Sequence, residues 1–99
     1  MTEMPALKRL LRAYLTPDWP EDYGDPWRAV EDFARMERDM APALRDEVAE
    51  VLSANPTEAD LRRTIIDDFE AGYLPEADGW TYRSWLEAVV RRVDEILAT

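Results

Sequence analysis

The chain has 99 residues, 46% hydrophobic and 34% charged, enough for one domain with a modest core and no second one. Its 22 acidic residues against 12 basic ones give a net charge of −10, which argues against nucleic acid or an anionic membrane as a partner, since both need clustered cations. With no cysteine and no histidine there is no disulfide, no thiolate nucleophile, no zinc–thiolate site and no imidazole to serve as a general base or metal ligand.

Apolar residues recur at intervals of three and four, and the elements they predict are helices. Met4, Leu7, Leu10, Leu11, Tyr14 and Leu15 form one stripe on a first helix that begins near Pro5, with Lys8, Arg9 and Arg12 on its other side. Pro17, Pro20, Gly24 and Pro26 then predict an ordered acidic loop. Asp25 and Pro26 make a cap and first turn for a second helix, whose buried face is Trp27, Val30 and Phe33. After a break around residues 39–42, Leu44, Val48, Val51 and Leu52 keep the period of a third helix, which Asn55-Pro56 ends. Thr57 and Asp60 have capping-box spacing at the start of a fourth helix, with the stripe Leu61, Ile65 and Phe69 and with Gly72 as its C′ residue. Asp78-Gly79 is a turn, and Thr81 caps a long fifth helix that buries Tyr82, Trp85, Leu86, Val89, Val93 and one of Ile96 or Leu97. No run alternates with period two for long enough to make a strand. The expected fold is all-α, a small single-domain bundle of about five helices over residues 1–99.

The N-terminal Met1-Thr2-Glu3-Met4-Pro5-Ala6 carries an acid and a proline and has no long apolar run, so neither a signal peptide nor a membrane span is predicted. The expected location is the cytoplasm. Eleven arginines to a single lysine, with abundant alanine, point to a GC-rich bacterial genome.

Charge is unevenly spread. Residues 13–27 hold four acids (Asp18, Glu21, Asp22, Asp25), residues 46–60 hold five (Asp46, Glu47, Glu50, Glu58, Asp60), and residues 64–82 hold five more (Asp67, Asp68, Glu70, Glu76, Asp78), with no base in any of the three windows. Everything outside these windows is net positive. Some of these acids lie at helix starts, where the macrodipole favours negative charge. The rest read either as solvated helix faces or as a docking surface on which carboxylates steer a basic partner and aromatics anchor it. The anchors in such a surface are Tyr23, Tyr73 and Trp80. Trp80 lies outside every helical stripe, so it is either an exposed anchor or a lid folded back on the core.

Catalytic constellations are missing. Asp18, Asp22 and Gly24 suggest a calcium loop, but Pro20, Tyr23 and Ala29 stand where a ligand, a glycine and a bidentate glutamate are required. Asp67, Asp68 and Glu70 cluster in sequence, yet adjacent residues point to different sides of a helix. Ser53 and Ser84 have no imidazole to activate them. No catalytic residue, metal ligand or cofactor is expected.

The order Leu7-x-x-Leu10-Leu11-x-x-Tyr14, Asp18-Trp19, Trp27-x-x-Val30-x-x-Phe33, Leu44-x-x-Glu47, Leu61, Tyr73 and Tyr82-x-x-Trp85-Leu86 resembles the small helical immunity proteins of bacterial contact-dependent growth inhibition (the CdiI type). The resemblance spans nearly the whole chain and rests on order and spacing. It implies a non-catalytic, one-to-one inhibitor that binds a cognate toxin domain and blocks its active site or a substrate surface. Tyr14, Trp19, Trp27, Phe33, Trp85 and Leu86 read as core at helical spacing. Asp18 and Glu47 are either buried polar bonds that fix the bundle or interface residues. Acidity fits a toxin domain that is a nuclease or otherwise basic. The expected toxin contacts are Glu21, Asp22, Tyr23, Glu76, Asp78 and Trp80, then Tyr73 and the Asp67-Asp68-Glu70 cluster. A homo-oligomer is left open. The alternative is a small acidic helical adaptor with no link to a toxin.

Overall fold

Helices start where a side chain can satisfy their first N–H groups. In the computed structural model, which describes residues 3–99, Asp25 Oδ1 accepts from the Trp27 N–H at 2.8 Å and starts α3 (Pro26–Met36). Met1 and Thr2 of the N-terminal segment lie outside the described residues. Thr57 Oγ1 accepts from the Asp60 N–H at 3.1 Å to start α5 (Glu58–Arg62). Thr81 and Ser84 form a reciprocal capping box at the start of α6 (Tyr82–Leu97). Two further helices, α1 (Pro5–Arg9) and α4 (Leu44–Ala54), have no such cap from their own flanking residue.

The start of α1 is capped from across the molecule. Glu47 on α4 is buried, and its two oxygens accept from the Ala6 N–H at 3.2 Å and the Leu7 N–H at 2.8 Å. A carboxylate at a helix N-terminus satisfies orphan donors and meets the positive end of the dipole. Of the two roles open to Glu47 in the sequence, the structure shows the structural one.

The acidic loop expected after the first helix contains a further short helix, α2 (Trp19–Asp22), which brings the bundle to six α-helices among the described residues. Short 3₁₀ turns lie at Ala41–Ala43 and Pro75–Asp78. Among the described residues there is no strand. α6 packs chiefly on α3 and also on α4 and α5, while α1 packs on α4. Leu7, Leu10, Leu11, Phe33, Leu61, Ile65, Trp85 and Leu86 form the centre of the core. Leu52, Trp27 and Phe69, expected in the buried stripes, are only half-buried at its edge.

Both α1 and α5 widen at their C-terminal ends into π-helical segments, Leu10–Tyr14 and Arg63–Asp68. Their closing bonds run from the Leu15 N–H to the Leu10 carbonyl and from the Phe69 N–H to the Thr64 carbonyl, each at 2.9 Å. The wider turn lets Leu10, Leu11 and Leu15 all face inward. At the end of α5 the left-handed residue is Glu70, with φ +58°, and not Gly72. The Ala71 N–H then reaches back to the Ile65 carbonyl at 3.1 Å to close the helix end.

Candidate interaction surface

Gly72 makes a different contact from the one its place in the sequence suggests. Its N–H donates to the Leu15 carbonyl at 2.7 Å, and a Cβ placed on it would sit 2.3 Å from both the Pro17 nitrogen and the Thr16 carbonyl carbon. Only glycine lets the two backbones come this close. Around this stitch the Trp19 indole N–H donates to the Gly72 carbonyl at 3.1 Å, and its ring meets Tyr73 edge-on with centroids 5.5 Å apart. Trp27 and Trp80 meet edge-on at 5.9 Å. Arg12 adds a clasp, donating to the Asp68 and Phe69 carbonyls at 3.0 and 3.2 Å with Glu70 4.0 Å away. Two of the three base-free windows, residues 13–27 and residues 64–82, are therefore bolted side by side.

The acids of these two windows are all exposed. Among the described residues Asp18, Glu21, Asp22 and Asp67 make no ion pair. Asp18 stands at the start of α2 with no side-chain bond to the helix backbone, so the buried polar role considered for it is absent. Glu76 pairs with Arg62 at 3.3 Å, and Asp78 accepts the Tyr73 hydroxyl at 2.6 Å. The third window serves the fold more directly. Glu47 caps α1, Asp60 pairs with Arg63 at 2.9 Å, and Glu58 accepts from the Tyr82 and Arg83 N–H groups at 2.7 and 3.2 Å, capping α6.

The three aromatic anchors divide. Tyr73 is only 3% exposed, packs against Trp85 at 5.5 Å, and is part of the core rather than a surface anchor. Burial, then the Asp78 hydrogen bond, pushes its hydroxyl well above the usual tyrosine range. Tyr23 is half-buried and donates to Asp32 Oδ2 at 2.7 Å. Trp80 is also half-buried and walls two cavities at once. The first, of about 310 Å³, lies between Trp27, Trp80, Ala88, Arg91, Arg92 and Glu95, with Arg92 5.8 Å above the Trp27 ring. The second, of about 280 Å³, lies between Glu58, Ala59, Arg62, Glu76, Trp80, Thr81 and Tyr82. Neither cavity was legible in the sequence, because each joins residues far apart in the chain.

The CdiI immunity protein family model matches residues 3–93. The chain belongs to the CdiI immunity protein family. Comparison with curated proteins and with solved structures gave no match. Of the residues on which the resemblance rests, Leu10, Leu11, Val30, Phe33, Leu44, Leu61, Tyr82, Trp85 and Leu86 are buried, while Tyr14, Trp19 and Trp27 are half-buried at the core's margin. Tyr14 donates to Glu37 Oε2 at 2.7 Å, and Arg9 donates to the same oxygen at 3.1 Å. Those two bonds, the one from Tyr14 first, hold the Glu37 carboxyl below the usual range. Among the described residues no group of three or more acids could hold a metal ion, and no helix is long and apolar enough to cross a membrane.

Proposed function

We propose that the chain neutralises a cognate contact-dependent growth inhibition toxin domain by stoichiometric binding, through the acidic surface formed by residues 18–25 and 67–78, and without catalysis of its own. Family membership supports the class of function. The observation that supports the surface is the contact of two base-free windows at Gly72, whose acids are all exposed. The partner such a region suits is a basic toxin domain, such as a nuclease, because a field of one sign accelerates encounter with its opposite. Covering a basic substrate-binding surface is enough to inhibit. The Trp80 edge adjoining this region supplies apolar area for an anchor.

The test is co-expression with a cognate toxin domain, sought in the reading frames beside this gene. The expected result is a one-to-one complex by light scattering and restored growth of cells producing the toxin. Growth arrest despite full expression of this chain, with no complex, contradicts the reading.

A further inference from the structure

The two base-free windows at Gly72 lead to a pair of tryptophans that meet edge-on, Trp27 closing the first and Trp80 standing near the end of the other. At that pair the sign of the charge changes. The cleft of about 310 Å³ that both rings line is completed by α6, where Ala88 adds only a methyl group and Arg91 and Arg92 bring two adjacent cations. Arg92 is already engaged, pairing with Glu31 at 3.4 Å and lying 5.8 Å from the Trp27 ring centroid. The Arg91 guanidinium is exposed and makes no ion pair and no hydrogen bond among the described residues. Glu95, one turn further along α6, lines the same cleft but forms no ion pair with it. A small cleft with aromatic walls and an uncommitted cation describes a seat for one acidic group on a short apolar stem.

We propose that this cleft receives an aspartate or glutamate side chain of the toxin domain, its carboxylate held by the Arg91 guanidinium and its stem against the Trp27 and Trp80 rings. The proposal rests on the toxin-binding reading above and adds to it a subsite of opposite sign. A single carboxylate suits the cleft better than a polyanion, because the adjoining windows, rich in acid and free of base, repel extended negative charge. Arginine offers a carboxylate two parallel donors in a fixed fork. The subsite also supplies what a uniformly acidic field lacks. Such a field speeds encounter with any basic partner in many orientations, whereas one pair of reversed sign beside it fixes the register and disfavours toxins without the matching acid.

The first experiment needs no toxin. The blocked tripeptide acetyl-Gly-Glu-Gly-amide is titrated into the protein at constant ionic strength while the Trp27 and Trp80 indole N–H resonances are followed. The expected result is a saturable shift with a dissociation constant on the order of 10 mM. It should vanish with the neutral glutamine peptide and in Arg91→Gln, and tighten about twofold in Glu95→Gln, which removes the acid that lines the cleft. No saturable shift, an equal shift from the glutamine peptide, an unchanged affinity in Arg91→Gln or a weaker one in Glu95→Gln overturns the proposal. Tighter binding of inorganic phosphate than of the peptide overturns it too, by assigning the cleft to a phosphate ligand.

The second experiment turns on a sign. Removing a cation from an acidic protein should, by charge alone, strengthen its hold on a basic toxin. The subsite predicts the reverse: Arg91→Gln melts like the wild type, since its side chain is exposed and unbonded, yet its complex with the cognate toxin domain dissociates at least about fivefold faster. Dissociation of Arg91→Gln at or below the wild-type rate overturns the subsite and leaves the immunity reading standing. If the wild type forms no complex, the immunity reading fails, and the peptide titration alone decides the cleft.

Discussion

Glu47 shows how this fold satisfies a charged group taken out of water. The Glu47 carboxylate ends on two backbone N–H groups of α1, so Glu47→Ala strips the cap and leaves both donors buried and unpaired. The expected loss is about 2–3 kcal/mol, read from the urea midpoint at constant slope. All four tyrosines have hydroxyls pushed upward, chiefly by burial; Tyr14 reaches about 12, and the Glu37, Asp32 and Asp78 carboxylates add to the effect at Tyr14, Tyr23 and Tyr73. A raised folded value means stability that is complete below the unfolded tyrosine value of about 10 and lost as pH climbs through the folded one. Alkaline unfolding should thus begin near pH 10, and tyrosinate absorbance at 295 nm should rise together with loss of helix. Smooth ionisation near pH 10 in a protein that stays folded would contradict these assignments. Glu37 has the opposite sign: its lowered value gives stability above the ordinary carboxylate range that is lost as pH falls through the folded value.

The elements turn on the Gly72 stitch. Gly72→Ala would drive a Cβ to 2.3 Å from the backbone of Thr16 and Pro17, where no flexible side chain can yield. It should cost at least about 1–3 kcal/mol and separate the two acidic windows, seen as loss of near-ultraviolet circular dichroism from Trp19. A Gly72→Ala protein with wild-type melting would show that the close approach is unnecessary. The sequence made the caps at Asp25, Thr57 and Thr81 legible because each bond is local, spanning two or three residues. It also made the stripes of α1, α3, α4 and α6 legible, since burial follows the helical period. What it hid was non-local or irregular. The α2 turn sits within prolines that read as loop, the π segments leave no signature in a three-and-four pattern, and Gly72 followed an apolar run where a C′ glycine is common. Tyr73 reads from the sequence as a surface residue because nothing in the chain reveals that Trp19 and Trp85 close on it.

For the molecule as a whole, the decisive quantity is where its surplus negative charge goes. Capping and pairing use Glu47, Glu58, Asp60, Glu76 and Asp78, so neutralising those acids would disturb the fold as well as any partner. Asp18, Glu21, Asp22 and Asp67 are exposed and make no ion pair among the described residues, and they are the clean probes of the surface. Changing all four to the matching amides should alter stability little, because exposed substitutions away from bonds usually shift it by under about 0.5 kcal/mol each. The most direct measurement is the association rate with the cognate toxin domain across an ionic-strength series, for the wild type and for the variant carrying Asp18→Asn, Glu21→Gln, Asp22→Asn and Asp67→Asn. Steering by this surface predicts a wild-type rate that falls steeply as the Debye length shrinks below about 8 Å, and a variant at least about tenfold slower at low salt with a flatter dependence and a near-normal dissociation rate. A wild-type rate indifferent to salt, or a variant that follows the wild-type curve, would contradict it.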